Sequence, residues 1–244
     1  MPLLPGFTVE VLPEIDSTNS ELMRRARAGR TEPVLLVAAQ QTAGRGRLGR
    51  NWESDTGSAL TFSLGLCLSP TDWSGLSLAV GLSVVESLHP ALKLKWPNDC
   101  WFDERKMAGV LIETASVGAV RFAVIGLGIN VAARKSDGFR TPSAALEEVL
   151  PGMDAPAALA AIVPDLVGCI QRFEVQGFAP LRTAFQSRDL LLGREVECSD
   201  GTSGVARGVD GTGGLLVHTA AGLKKIISAE VSVRPVPLRV ENVS

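Results

Sequence analysis

The chain has 244 residues, 45% of them hydrophobic, enough for one large domain or for one of ordinary size with a small companion. Its 24 lysines and arginines against 26 acidic residues leave a net charge of −2, which argues against bulk nucleic-acid binding, because that requires a basic footprint. The four cysteines (67, 100, 169 and 198) form no C-x-x-C pair, and His89 and His218 stand apart, so protein-bound zinc is not expected and reduced thiols in a cytoplasmic protein are.

No basic segment followed by an apolar run opens the chain, so no signal peptide is read. The longest apolar stretch, Leu76 to Leu92, is broken by Ser77, Ser83, Glu86 and Ser87 and reads as a core helix, not a membrane span. In chain order, Phe7 to Leu12 alternates as a first strand and Pro13 to Asp16 is a connector. Thr18 with Glu21 three residues on fits a capping box, and Gly29 fits the helix end. Local chemistry favours a plain cap there, although a spare hydroxyl at a helix N-terminus also suits a polar ligand.

Val34 to Gln40 reads as a buried strand and feeds Gln41-Thr-Ala-Gly-Arg-Gly-Arg-Leu-Gly-Arg50. Glycines at 44, 46 and 49 allow close backbone approach, and arginines at 45, 47 and 50 supply planar, permanently charged forks. Such a loop suits an anionic small molecule. Its Gly44-x-Gly46-x-x-Gly49 spacing spells the dinucleotide fingerprint, but that motif needs the third glycine to open a helix. Here Asn51 to Gly57 is turn-like and leads into a strand at Ser58 to Leu68, so the Rossmann reading is rejected.

Apolar residues at 76, 80, 84 and 88 predict a helix over Trp73 to Leu88. Leu92 to Trp96 alternates as a strand that Pro97 stops, leaving Asn98 and Asp99 in a plain turn or turned to a ligand. Cys100 to Phe102, the turn 103–105 and Lys106 to Thr114 read as a hairpin. Alternation places Lys106 on the face of Ala108, Val110 and Ile112, with Met107, Gly109 and Leu111 opposite; both faces are apolar, so the strand is expected to be central. A lysine opening such a strand meets an anion or snorkels outward. Val120 to Val131 is a further strand whose Gly126 and Gly128 invite a ligand or a bulge, with Asn130 at its end. Thr141 to Pro151 is expected to be a short helix. Asp154 caps a longer one toward Phe178, which Pro164 should kink or split. Beyond Gly193, short strands at 195–198, 203–209, 215–219 and 224–227 predict a small SH3-type barrel.

Five stretches in this order resemble the biotin–protein ligases: Ser17-Thr-Asn19, Gln41 to Arg50, Lys95-Trp-Pro-Asn-Asp99, Lys106-Met-Ala-Gly-Val-Leu-Ile-Glu113 and Gly126-Leu-Gly-Ile-Asn130. Singly they are weak; together they are specific and cover nearly all of residues 7–190, with the tail matching the family's C-terminal barrel. The resemblance implies an α+β fold, a mixed, mostly antiparallel sheet with helices packed on it, divided into a catalytic domain (1–190) and an SH3-like domain (191–244). It implies that biotin and ATP, with Mg2+, give biotinyl-AMP and pyrophosphate, and that biotin then passes to a lysine of a carboxylase's biotin carboxyl carrier protein.

On the same resemblance Ser17, Thr18 and Gln41 would bind the ureido ring. Gly44, Arg45, Gly46 and Arg47 would cover the acyl chain and adenylate, and Lys106, Gly109 and Gly126 would line the pocket. Arg50, Trp52, Asn98 and Asn130 would lie on the nucleotide side, Trp52 against adenine. Arg47 and Lys106 would neutralise the reacting anions, and Asp99, also on the nucleotide side, would assist or orient the acceptor amine. No protein ligands for a metal are assigned. Leu48 stands where some members have another arginine. The loop is expected to be mobile without ligand. The lead before Phe7 is too short for a helix-turn-helix, so a ligase without operator binding is expected, with no membrane contact and with edge strands offering a route to a homodimer. The rivals are a lipoate–protein ligase, which lacks the Gly-Arg-Gly-Arg-x-Gly-Arg run, and a non-catalytic nucleotide- or RNA-binding module.

Overall fold

The computed structural model describes residues 6–54, 56–133, 143–227 and 233–235. Its main sheet contains β1 (Thr8–Ile15), β2 (Val34–Gln41), β3 (Ala59–Cys67), β4 (Lys93–Lys95), β5 (Asp99–Phe102), β6 (Arg105–Val117) and β7 (Val120–Asn130). Across the sheet they run β1-β2-β3-β7-β6-β5-β4, and every pair is antiparallel except β1 with β2. The expected connector at Pro13 is instead strand. Leu12 pairs with Ala38 and Glu14 with Gln40, and on this edge strand the missing proline N–H breaks no ladder bond.

Alternation along β2 sets the layers. Val34 and Leu36 face helix α1 (Thr18–Arg27), where Leu22, Met23 and Ala26 close a small core with Phe122 and Val124. Leu35 and Val37 face the main core with Phe62, Leu64, Ile125 and Leu127. Helices α2 (Leu76–Leu88) and α3 (Ala155–Gln176) cover that side. Leu22 is fully buried, so truncating it to alanine would cost about 2–5 kcal/mol.

The helix cap is Ser17, not Thr18. Ser17 is extended (φ −161°) and its hydroxyl accepts from the Ser20 N–H, while Glu21 pairs with Arg24 and Arg25 and not with the backbone. That leaves the Thr18 hydroxyl for the neighbouring strand. Pro164 does not split α3. Its neighbours Ile162, Val163, Leu166 and Val167 are buried and hold the helix against the core, which offsets the one backbone bond a proline removes. Of the helix expected at 141–151, the first two residues lie outside the described residues, and the rest forms only a 3-10 turn at Leu146–Glu148.

After α4 (Arg182–Arg188) comes the small unit: β8 (Glu195–Cys198), β9 (Ser203–Val209), β10 (Leu215–Thr219), β11 (Gly222–Ile226) and β12 (Val233–Pro235), an antiparallel sheet in the order β11-β10-β9-β8-β12. Its Val196, Val209, Leu215 and Val217 join the same core as α2. The fully buried Trp96 donates its indole N–H to the Gly213 carbonyl at 3.0 Å, Arg182 Nε donates to the Val209 carbonyl at 2.8 Å, and the Leu190 N–H reaches the Leu94 carbonyl at 2.8 Å. The small unit is packed onto the sheet, not tethered to it.

Candidate active site

One row of residues crosses the sheet on the α1 side, beyond that helix's N-terminus. Lys95 pairs with Asp99, Asp99 with Gly109, Gly109 with Gly128, and Gly128 with Thr61. The next row holds Leu111, Gly126 and Ser63. Glycines and small hydroxyl residues keep the sheet floor low here, and larger side chains lie across it. A Cβ on Gly126 would stand 2.0 Å from Asn19 Oδ1, and one on Gly128 would stand 2.3 Å from the Trp52 ring.

The expected parity of β6 fails at its start. Cys100 pairs with Ala108 but Trp101 pairs with Lys106, so Met107 is an extra residue and the strand bulges there. The bulge moves Lys106 from the face of Ala108 and Val110, where strict alternation puts it, to the face of Gly109. Its Nζ lies 2.6 Å from Asp99 Oδ1, 3.1 Å from the position of a Gly109 Cβ, and 5.8 Å from the centre of the Trp52 ring.

A buried polar chain holds one end of the cleft. Gln41 Oε1 accepts from the Thr18 backbone N–H (2.8 Å) and hydroxyl (3.0 Å). The Ser63 hydroxyl lies 2.7 Å from Thr18 Oγ1 and 2.6 Å from Asn19 Oδ1. Asn19 Nδ2 donates to the Leu111 carbonyl and to Glu113, and Glu113 receives Arg45 at 3.0 Å. Thr18 and Asn19 are buried, so each link left unmade would cost about 1–3 kcal/mol.

The glycine–arginine loop roofs the cleft. It folds back on itself through Gly46 N–H to the Arg50 carbonyl (2.7 Å) and Trp52 N–H to the Gly44 carbonyl (2.9 Å). Only glycine fits at 44, where a Cβ would stand 2.3 Å from the Trp52 carbonyl oxygen. Leu48 takes a left-handed conformation (φ 55°, ψ 37°), which for a non-glycine residue costs roughly 1–2 kcal/mol. Arg47 donates to Asn98 Oδ1 at 3.2 Å, and Asn98 Nδ2 is held by the Val110 carbonyl at 2.7 Å. Burial pulls the Arg47 pKa down, partly opposed by Asp99. Burial does the same to Lys95, whose ammonium lies 5.2 Å from the centre of the Trp101 ring.

The cleft encloses about 140 Å³ and opens into solvent at its mouth. Ser17, Thr18, Gln41, Arg45, Gly46 and Arg47 wall one part; Arg50, Trp52, Asn98, Asp99, Lys106, Gly109 and Gly126 wall the rest. Two expected residues do not reach it. Gly44 shapes the loop from behind. Asn130 is buried at the end of β7, its amide donating to the Ala144 carbonyl (3.2 Å) and the Lys106 carbonyl (3.4 Å), so it braces the strand that carries Lys106. The site-residue assignment from sequence omitted Asn19, Ser63, Lys95, Glu113 and Gly128. It also omitted Val233 of β12, which brings the small unit to the cleft wall. Asn19, Lys95, Glu113 and Gly128 lie inside the quoted motifs; Ser63 and Val233 carry no local signal.

A cleft floored by glycine, walled by lysine and arginine and roofed by a glycine-rich loop has the lining of a site for small anionic molecules. Residues 11–130 match the Biotin/lipoate A/B protein ligase family, and residues 191–234 match the Biotin protein ligase C terminal domain. The chain is 34% identical to the bifunctional ligase/repressor BirA of Escherichia coli over 95% of this chain and 75% of that one. It is 31% identical to the biotin–[acetyl-CoA-carboxylase] ligase of Paracoccus denitrificans over 91% and 98%. The biotin protein ligase of Aquifex aeolicus, solved in complex with biotin and ATP, superposes with a TM-score of 0.81 at 32% identity, covering 96% of this chain and all of that one. The chain belongs to the biotin protein ligase family. Among the described residues no helix is long and apolar enough to cross a membrane.

Proposed function

We propose that this chain joins biotin to ATP and passes the biotinyl group to a lysine of a biotin carboxyl carrier protein, with residues 1–190 as the catalytic domain and 191–244 as an accessory domain. The observation that carries this reading is the Lys106–Asp99 pair, bulged onto the glycine floor beneath Arg47 and beside Trp52. A biotin carboxylate oxygen attacks the α-phosphorus of ATP, the bond to the pyrophosphate oxygen breaks, and biotinyl-AMP forms. The acceptor lysine then loses a proton, attacks the acyl carbon and releases AMP.

Both anions carry negative charge, so the barrier falls chiefly through positioning and preorganised cations. Arg47 and Lys106 supply those cations in this reading. Ser17, Thr18 and Gln41 form the polar end suited to the ureido ring; Arg45 and Gly46 cover the acyl chain, and Gly109 and Gly126 leave room for it. Trp52, Arg50 and Asn98 are on the nucleotide side. Asp99, already bonded to Lys106, orients the acceptor amine. The roof excludes water from the mixed anhydride and opens between turnovers. Among the described residues no three of His, Cys, Asp or Glu cluster to hold a metal, so Mg2+ is read as entering with the phosphates of ATP, as part of that substrate.

The test is ATP–pyrophosphate exchange with biotin, with lipoate and with neither. Exchange that requires biotin supports the ligase; exchange with lipoate alone reassigns it within the family; no exchange with either rejects adenylation. Transfer to a purified carrier domain decides the second step.

A further inference from the structure

Lys95 ends the cross-strand row, and its surroundings differ from those of Lys106. The side chain lines the cleft, yet among the described residues its ammonium makes no hydrogen bond and has no carboxylate within ion-pair distance. Its register partner Asp99 is already bonded to Lys106 at 2.6 Å, and its remaining neighbour is the face of Trp101. The charged groups it feels are Asp99 on β5, Lys106 on β6, Arg50 in the loop and Arg234 on β12. Two half-buried lysines, Lys95 and Lys106, therefore share one carboxylate, with Arg50 and Arg234 exposed nearby. A half-buried ammonium left without a partner is costly unless an anion meets it.

Geometry says which part of the substrate that is. Strands lie about 4.8 Å apart, so β4 is about 10 Å from β6 across the sheet, a gap that the long, flexible side chains of Lys95 and Lys106 narrow from both ends to the reach of a chain of phosphates. With the α-phosphate at Lys106 and Arg47, the far phosphates extend toward Lys95. We infer that Lys95 grips the pyrophosphate portion of ATP, stabilising the leaving group of adenylation and taking no part in transfer to the acceptor. As the bond from the α-phosphorus to the α–β bridging oxygen breaks, the electron pair stays on that oxygen, which becomes a terminal oxygen of pyrophosphate, and a hydrogen bond from the ammonium meets the added charge; no proton need move. The inference rests on the ligase reading above and adds a residue to it.

The test uses the full chain with Lys95→Met, which keeps the side chain's length and apolar contact with Trp101, and Lys95→Arg, which keeps the charge. Calorimetry with magnesium pyrophosphate is expected to show at least tenfold weaker binding to the Met variant and partial recovery in the Arg variant. Single-turnover adenylation should slow by about 10²-fold in the Met variant, the usual loss for one preorganised donor. Biotin affinity, and transfer from preformed biotinyl-AMP, should stay within about twofold of wild type. Unchanged pyrophosphate binding overturns the inference. So does a transfer step that falls in parallel with adenylation, which would mean that Lys95 only supports Lys106 and Asp99. Should the Met variant fail to fold, Lys95→Gln decides: adenylation and pyrophosphate affinity that fall together, with transfer unmoved, support the role, and no fall rejects it. If wild type shows no biotin-dependent exchange, the ligase reading falls separately, while the pyrophosphate calorimetry still decides on Lys95.

Discussion

The Trp52 indole lies flat on Gly128, so close that a Cβ there would stand 2.3 Å from the ring and 2.6 Å from its Nε1. The ring's position is thus set by a missing side chain two strands from Asp99. Gly128→Ala is expected to push the indole out, blue- or red-shift its fluorescence, and raise the KM for ATP by up to about tenfold, the scale of one lost aromatic contact. An ATP titration matching wild type would remove Trp52 from the nucleotide side.

Removing the cations should affect chemistry more than binding. Lys106→Ala and Arg47→Ala are each expected to slow single-turnover formation of biotinyl-AMP by on the order of 10²–10³. Rates within tenfold of wild type would reject these roles. Lys106→Ala also leaves Asp99 without its 2.6 Å partner, so a thermal melt should accompany the kinetics.

Asn19 is a structural test of the polar end of the cleft. Asn19→Ala leaves Ser63 and Glu113 each short of a partner and opens a gap above Gly126. The expected loss is about 1–3 kcal/mol in urea unfolding, with biotin affinity falling in parallel. Loss of affinity with full stability would show that Asn19 touches the ligand and does not merely brace Thr18.

Asp189 makes stability depend on pH. Its carboxyl sits where the small unit joins the sheet; Oδ1 accepts from the Leu191 N–H at 2.9 Å, the Leu192 N–H also faces the carboxyl, and among the described residues buried Oδ2 has no partner within hydrogen-bond geometry. Burial pushes its pKa up from 3.8 to about 6. The folded state therefore holds this proton more tightly than the unfolded chain. Its favourable contribution is complete below about pH 4, and is lost as pH rises through about 6, costing up to about 3 kcal/mol relative to acid conditions. Asp189→Asn keeps an acceptor for Leu191 and has no charge to bury. It should raise the melting temperature at pH 8 and leave it nearly unchanged at pH 4; a pH-independent difference between the two proteins would refute the assignment.

Local chemistry made much of this molecule readable. The Gly-rich and Arg-rich loop, the Pro-Asn-Asp turn and the paired glycines of β7 all advertise themselves within a few residues, and most of the expected site residues meet in one cleft. What was hidden depends on distant partners. Alternation assumes that every residue of a strand is paired, and the bulge at Met107 breaks that assumption without any glycine or proline to mark it. Lys95, in a three-residue strand reading Lys-Leu-Lys, looks like an ordinary solvated edge until the fold sets its ammonium over Trp101 at the cleft wall. Asn130 looked like a ligand group because it is polar at a strand end; its amide is instead spent on two carbonyls that only the folded chain brings within reach. Likewise Thr18 lost the cap to Ser17 because Gln41, 23 residues away, competes for its hydroxyl.

The single unpaired residue in β6 also separates what evolution or an engineer can adjust. Beyond it, Ala108 and Val110 are fastened into the apolar layer, while Lys106 belongs to the solvent-linked trough. Were Trp101 to pair with Met107 and Phe102 with Lys106, the ladder would be unbroken and the ammonium would turn inward, under α2. The chain would gain a tidier strand at the expense of its chemistry.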